Sequence, residues 1–304
     1  PFALTGPKPV PPQSLVSSAD TDELSADWAR RSHSDPYSRT LNAERYPLLE
    51  DHVLGGHSVM PTALMVELAA QACHKYFPQY RFLGCDNLRI LKPITLPRGE
   101  EHDEPAKIIA DTDITIVIQK VERIDSELLV YFAIEHCKPN ARPLKCVEGT
   151  AVLTAQRQAK PLRKHDRHPL EENGYPCTMP EAYDKYLFHG PKLRGINKVR
   201  SCNKHGLAAN VEDRGHALVN HPQEKPITNP LFLDCALQSG LLWSGAERGL
   251  CSLPMFGGRY RQYVDKFPAK AQILLYPKEV GESQMCGDVF VVDEEGRVLA
   301  EWQD

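Results

Sequence analysis

One unit is written twice in this chain: a proline opens a helix that is apolar around most of its surface, and a series of alternating strands follows. In the first copy Pro61 heads a stretch running to about Phe77, in which Leu64, Met65, Leu68 and Ala72 fall at near-helical spacing and alanines fill much of the remainder. In the second, Asn229 is placed to cap and Pro230 to occupy the first turn of a helix reaching about Gly245. A capping amide and a residue with no N–H to satisfy suit those two positions. A helix apolar on most faces has to be buried. Cover is supplied in the first half by strands expected at Tyr37–Leu41, Arg81–Leu96, Ala106–Val121, Glu127–Cys137 and Lys145–Thr154. In the second half it comes from Gly195–Cys202, Leu207–Glu212, Tyr260–Asp265, Ala271–Tyr276, Gly287–Val292 and Arg297–Trp302. These runs carry β-branched or aromatic residues in partial alternation. An antiparallel sheet wrapped around one apolar helix buries both, so the chain reads as α+β with two tandem modules.

The 304 residues divide accordingly: 1–30 as a polar linker, 31–155 as the first module, 156–170 as a basic linker and 171–304 as the second module. The formal net charge of -4 argues against a nucleic-acid partner, whose binding domains are strongly basic. No run of about 18 apolar residues is present to span a membrane. Pro1–Ser18 is rich in Pro and Ser without the apolar centre of a signal peptide. With no initiator Met, the chain reads as a piece cut from a longer polypeptide. Nine cysteines at irregular spacings, several in apolar stretches (Cys73, Cys235, Cys251), include no CxxC pair or zinc spacing. They read as reduced thiols of a cytoplasmic protein.

Four motifs carry chemistry: His52–Val–Leu–Gly–Gly56–His–Ser–Val–Met–Pro61, or HxxxGxxxxP; Asp234–Cys–Ala–Leu–Gln238, or DxxxQ; His189–Gly190–Pro191; and Leu253–Pro254 with Tyr263 nine residues after the proline. Each alone is weak, but their joint order across both halves is specific. The stretch YPLLEDHVLGGHSVMPTALMVELAAQA resembles the first half of dehydratase domains from polyketide and polyunsaturated fatty-acid synthases. YLFHGPKLRGI and NPLFLDCALQSGLLW resemble motifs of their second half. The resemblance covers Tyr37 to the end and implies a double hotdog, each half a long helix wrapped by an antiparallel sheet. His189, where many polyketide dehydratases have Tyr, is more like the polyunsaturated fatty-acid and enediyne branches. The implied reaction removes water from a 3-hydroxyacyl thioester. The implied partners are an acyl carrier protein, whose phosphopantetheine arm brings the substrate, and neighbouring synthase domains. A homodimer through first-half sheet edges is compatible with exposed edge strands. No cofactor or metal is called for.

Dehydration needs a base for the weakly acidic C2 proton and an acid for the departing 3-hydroxyl. His52 suits the base, since an imidazole of pKa about 6.5 is largely neutral at pH 7. Asp234 suits the acid if an apolar setting from Phe232, Leu233 and Leu237 raises its pKa against the helix dipole. Gln238, one turn on, would orient Asp234. Gly56 would let the backbone approach the substrate, its N–H polarising the thioester carbonyl near the start of the Pro61 helix. Pro61 would fix the helix start, and His189, Gly190, Pro191 and Tyr263 would line the substrate site. His57 competes as a base from a variable motif position. Glu67, in the first apolar helix, reads as structural. Lys192, Arg194, Arg259 and Arg261 are either a carrier-docking rim or ordinary solvated charges. A product-template or cyclase domain using the same His and Asp, or a non-catalytic acyl-binding or dimerisation module, are the alternatives.

Overall fold

A computed structural model describes residues 35–99, 106–138, 140–155, 162–220, 225–250, 252–282 and 284–304. The linker expected at 1–30 lies outside these residues, as does the opening of the 156–170 stretch. The first half runs β1 (Tyr37–Leu41), the small hairpin β2 (Val53–Leu54) and β3 (His57–Val59), α1 (Thr62–Tyr76), β4 (Arg81–Ile90), β5 (Thr95–Leu96), β6 (Thr112–Ile124), β7 (Glu127–Cys137) and β8 (Leu144–Thr154). The second half runs α2 (Met179–Tyr186), β9 (Ile196–Asn203), β10 (Gly206–Glu212), α3 (Pro230–Arg248), β11 (Phe256–Gln262), β12 (Lys270–Val280), β13 (Met285–Val292) and β14 (Val298–Gln303).

Both helices start where the prolines direct. Pro61 stands one residue outside α1 as its N-cap, and its carbonyl accepts from the N–H groups of Leu64 and Met65 at 3.0 and 3.1 Å. Pro230 occupies the first turn of α3, and the Asn229 side chain accepts from Phe232 N–H at 2.9 Å. Gly249 ends α3 at φ 65, the left-handed conformation glycine adopts without steric cost. Both helices are buried over most of their length. The short α2 escapes the apolar-periodicity reading, yet its signal is present. Thr178 and Glu181 form a capping box around Pro180, with Thr178 N–H donating to Glu181 at 2.8 Å.

The sheets of the two halves are continuous. One antiparallel sheet of eleven strands runs β1-β6-β7-β8-β4-β11-β14-β13-β12-β10-β9, and the halves meet at the β4–β11 pair. Gly84 permits this seam: a Cβ there would lie 1.9 Å from the Tyr260 carbonyl oxygen. The guanidinium of Arg261 grips both carboxylate oxygens of Asp86 across the seam, the longer contact at 2.9 Å. The joined sheet curves round α1 and α3, which pack against each other in the middle. Glu67 ties them together and has no exposed surface. Its carboxylate accepts from Gln71 at 2.7 Å, from the N–H groups of Ile227 and Thr228 at 3.0 and 2.7 Å, and from the Thr228 hydroxyl at 2.6 Å. A side chain of the first helix therefore holds the two residues that lead into the cap of α3.

Candidate active site

His52 follows a 3-10 turn at Pro47–Asp51 that opens on a proline. Its Nδ1 lies 2.8 Å from the Val59 carbonyl, and its own carbonyl accepts from Val59 N–H at 2.9 Å. A carbonyl can only accept, so Nδ1 carries the hydrogen and Nε2 keeps its lone pair. Gly55 and Gly56 form the two-residue turn of the β2–β3 hairpin at φ +59 and +79, a geometry that favours glycine at both places. Arg98 braces the loop by donating to Ser58 Oγ at 2.9 Å and to Glu50 Oε2 at 3.2 Å.

From the second half, α3 brings Asp234 and Gln238 to the same place. Gln238 Nε2 donates to Asp234 Oδ2 at 2.7 Å, the expected contact one turn along the helix. His189 Nε2 lies 3.4 Å from the same oxygen, and its ring is 5.2 Å from that of His52 between centroids. One ligand-type atom from each of His52, His189 and Asp234 falls within 4.8 Å of the other two. Asp234 is 3% exposed and His189 4%.

Burial sets the protonation states. It pushes the Asp234 carboxyl up, against the opposing charge of His52 and the Gln238 hydrogen bond. It pushes His52 down, although the Asp234 carboxylate pulls the other way. His189 falls to about 3, through burial and then the Arg194 charge, and stays neutral. Both main shifts favour a state with a neutral imidazole at 52 and a protonated carboxyl at 234, a matched base and acid.

The two halves are stitched beside this pair. Residues 52 and 189 form a β-bridge. Gly190 N–H donates to the Asp51 carbonyl at 2.7 Å, and Lys192 N–H donates to the Asp51 carboxylate. Gly190 has to be glycine, because a Cβ would lie 2.7 Å from the Asp51 carboxyl carbon. Asp51 is 9% exposed and, through Gly190 and Lys192, ties the segment that carries His52 to the one that carries His189. Asp51→Ala is expected to lower kcat roughly tenfold or more by loosening the placement of His52 against Asp234. Steady-state kinetics beside a thermal melt check this.

The structure gathers His52, Asp234, Gln238, His189, Gly190 and Pro191, the last opening the 3-10 turn that Asp51 holds. Other expectations are corrected. Tyr263 is engaged elsewhere: its hydroxyl bonds Glu301 and its ring packs on the Phe290, Val292 and Val298 cluster. A fixed distance from Pro254 says nothing about which sheet face a residue takes. Gly56 is exposed at the hairpin tip and serves the turn, not the start of α1. Pro61 stands outside the helix, not in its first turn. His57 is exposed beside Gly56. Arg261 is spent on Asp86, and Arg194 donates to the His189 carbonyl at 3.0 Å. Sequence reasoning does not find Tyr183, Asp51 or Arg98. A small apolar cavity lined by Phe232, Leu233, Ala236 and Trp302 includes neither His52 nor Asp234 in its wall.

With this geometry in view, the comparisons are consistent. The family model described as polyketide synthase dehydratase domain matches residues 28–112. A second, described as polyketide synthase dehydratase N-terminal domain, matches residues 164–304 of this chain. The chain belongs to the polyketide synthase dehydratase family. Its fold is the double hotdog. The dehydratase is 28% identical over 221 residues to a polyunsaturated fatty acid synthase subunit from Thraustochytrium sp., matching 71% of this chain and 7% of that protein. A trans-AT polyketide synthase dehydratase domain from Brevibacillus brevis superposes with a TM-score of 0.63 at 20% identity, covering 88% of this chain and 92% of the other. The dehydratase domain from the CurF module of curacin polyketide synthase gives 0.62 at 17% identity, covering 88% and 89%. Among the described residues, no helix is long and apolar enough to cross a membrane.

Proposed function

We propose that this dehydratase domain converts a 3-hydroxyacyl thioester on the phosphopantetheine arm of an acyl carrier protein to the 2-enoyl thioester, inside a multidomain polyketide or polyunsaturated fatty-acid synthase. The observation that carries this is the meeting of His52 and Asp234 from opposite halves, with the His52 tautomer fixed by the Val59 carbonyl. His52 Nε2 takes the C2 proton, and the electron pair of that C–H bond forms the C2–C3 double bond. The C3–O bond breaks as Asp234 gives its proton to the leaving oxygen, forming water. The proton on His52 then returns to the Asp234 carboxylate, restoring both groups. Gln238 orients the acid, and His52 and Asp234 account for every proton moved. Nothing in the geometry favours a cyclase or a non-catalytic scaffold over this use. The eight described cysteines are free thiols, in keeping with a cytoplasmic setting.

The carrier is the finer part of the reading. Lys192 and Arg259 remain as partly free basic groups near the motifs, suited to an acidic carrier or a phosphate. The same 3-hydroxyacyl group presented on carrier protein and on free pantetheine is expected to turn over at least tenfold faster, as kcat/KM, from the carrier. Equal rates from the two donors would remove carrier recognition from the proposal.

A further inference from the structure

A chain of hydrogen bonds begins on the backbone of β9 and ends on the proposed acid, and every link in it has a fixed direction. Ile196 N–H donates to the Tyr183 hydroxyl oxygen at 3.1 Å. Tyr183 in turn lies 3.1 Å from Gln238 Oε1 and donates to it. Gln238 Nε2 has two hydrogens, and both are used: one on the Leu193 carbonyl at 2.9 Å, one on Asp234 Oδ2 at 2.7 Å. Turning the amide over would set its oxygen against the Leu193 carbonyl and leave the Tyr183 hydroxyl hydrogen without its acceptor, two losses in a buried site. The amide is therefore locked.

We propose that Tyr183 is a positioning residue for dehydration: by locking the Gln238 amide, it reserves Oδ2 of Asp234 as an acceptor and places the transferable proton on Oδ1. Oδ2 also has the His189 Nε2 at 3.4 Å, which adds a second donor to the same oxygen in the Nε2–H tautomer. A carboxyl whose Oδ2 already accepts has Oδ1 left for its hydrogen. Without this lock, the acid proton can settle on Oδ2 against the amide oxygen, where it serves a side chain instead of the leaving hydroxyl. Tyr183 is 4% exposed, and burial pushes its phenol far above the usual range, so the hydroxyl remains a donor. The Arg194 guanidinium lies 5.1 Å from the centre of its ring. The titratable groups around Asp234 are His52 from the first half, His189 from the turn after α2, Tyr183 on α2 and the Cys235 thiol on α3, with the Arg194 charge beyond them.

This inference rests on Asp234 being the acid, and a double-mutant cycle separates the two claims. Tyr183→Phe should lower kcat about fivefold to tenfold, the size of one lost orienting hydrogen bond, with KM within about twofold. The alkaline limb of its kcat–pH profile should move to higher pH, because a less firmly held N–H stabilises the Asp234 carboxylate less. Gln238→Leu should shift the limb the same way, and the double variant should be no slower than Gln238→Leu alone. Effects that multiply in the double variant, or a slower Tyr183→Phe whose pH profile keeps its place, would overturn the positioning role. If Asp234→Asn itself turns over normally, the acid assignment has failed, not the relay. Should Tyr183→Phe not fold, 3-fluorotyrosine at 183 keeps the shape and donates more strongly. The alkaline limb should then fall, and an unmoved limb would refute the proposal.

Discussion

Asp234→Asn should cost about 10²–10⁴ in kcat, the usual span for a lost general acid, while melting no lower than the wild type. The two halves of this result have one cause. Asp234 is buried, and burial raises its carboxyl above the ordinary range. A carboxyl whose folded pKa is raised binds its proton more tightly in the folded state. Its effect on stability is therefore neutral below the unfolded pKa, and becomes unfavourable as pH rises from there toward the folded pKa. An amide of the same shape removes that cost and can still accept from Gln238. Activity and stability should thus move in opposite directions, as at sites held for chemistry at the expense of stability. The wild-type kcat–pH profile should be bell-shaped. Its acid limb reports His52 becoming charged and lies below an ordinary imidazole; its alkaline limb reports Asp234 losing its proton and lies above an ordinary carboxyl. In Asp234→Asn the alkaline limb should vanish from the residual rate.

Glu67→Ala should destabilise the domain by about 3–5 kcal/mol, the range for stripping partners from a buried polar network. Four donated hydrogen bonds end on this carboxylate, and two come from backbone N–H groups. Burial pushes its pKa up, against the donors that favour the charged form. Glu67→Gln should be milder, because an amide still accepts at one end, but its NH₂ meets the remaining donors with hydrogens and cannot satisfy them. Since Ile227 and Thr228 lead into Asn229, the loss should also displace α3 and lower kcat in protein that remains folded. Equilibrium urea unfolding of the three proteins, with turnover measured below the transition, checks both effects.

The helices are legible in the sequence because prolines and apolar periodicity are local signals, and β7 can be read to both its ends from its own alternation. Asp234 and Gln238 are legible as a pair because four residues on a helix share a face. The seam between the halves is not, since Asp86 and Arg261 are 175 positions apart and nothing in Arg261 alone names Asp86 as its partner. Asp51 is hidden for a similar cause. What makes it structural is the backbone of Gly190 and Lys192, groups every residue possesses and no composition reveals. Tyr183 could be sought through α2, whose capping box is visible at Thr178 and Glu181, but its link to Gln238 belongs to the packing of α2 on α3. Tyr263 shows the limit of spacing along the chain, because it lies just past the end of β11 with its hydroxyl on Glu301.

Mass spectrometry of a carrier-bound 3-hydroxyacyl group, incubated in single turnover with wild type, His52→Ala and Asp234→Asn, addresses the shared base and acid most directly. The wild type should shed one water from the acyl group, and both variants should leave it intact over the same time while retaining wild-type circular dichroism. Water loss at the wild-type rate in either variant would contradict the account.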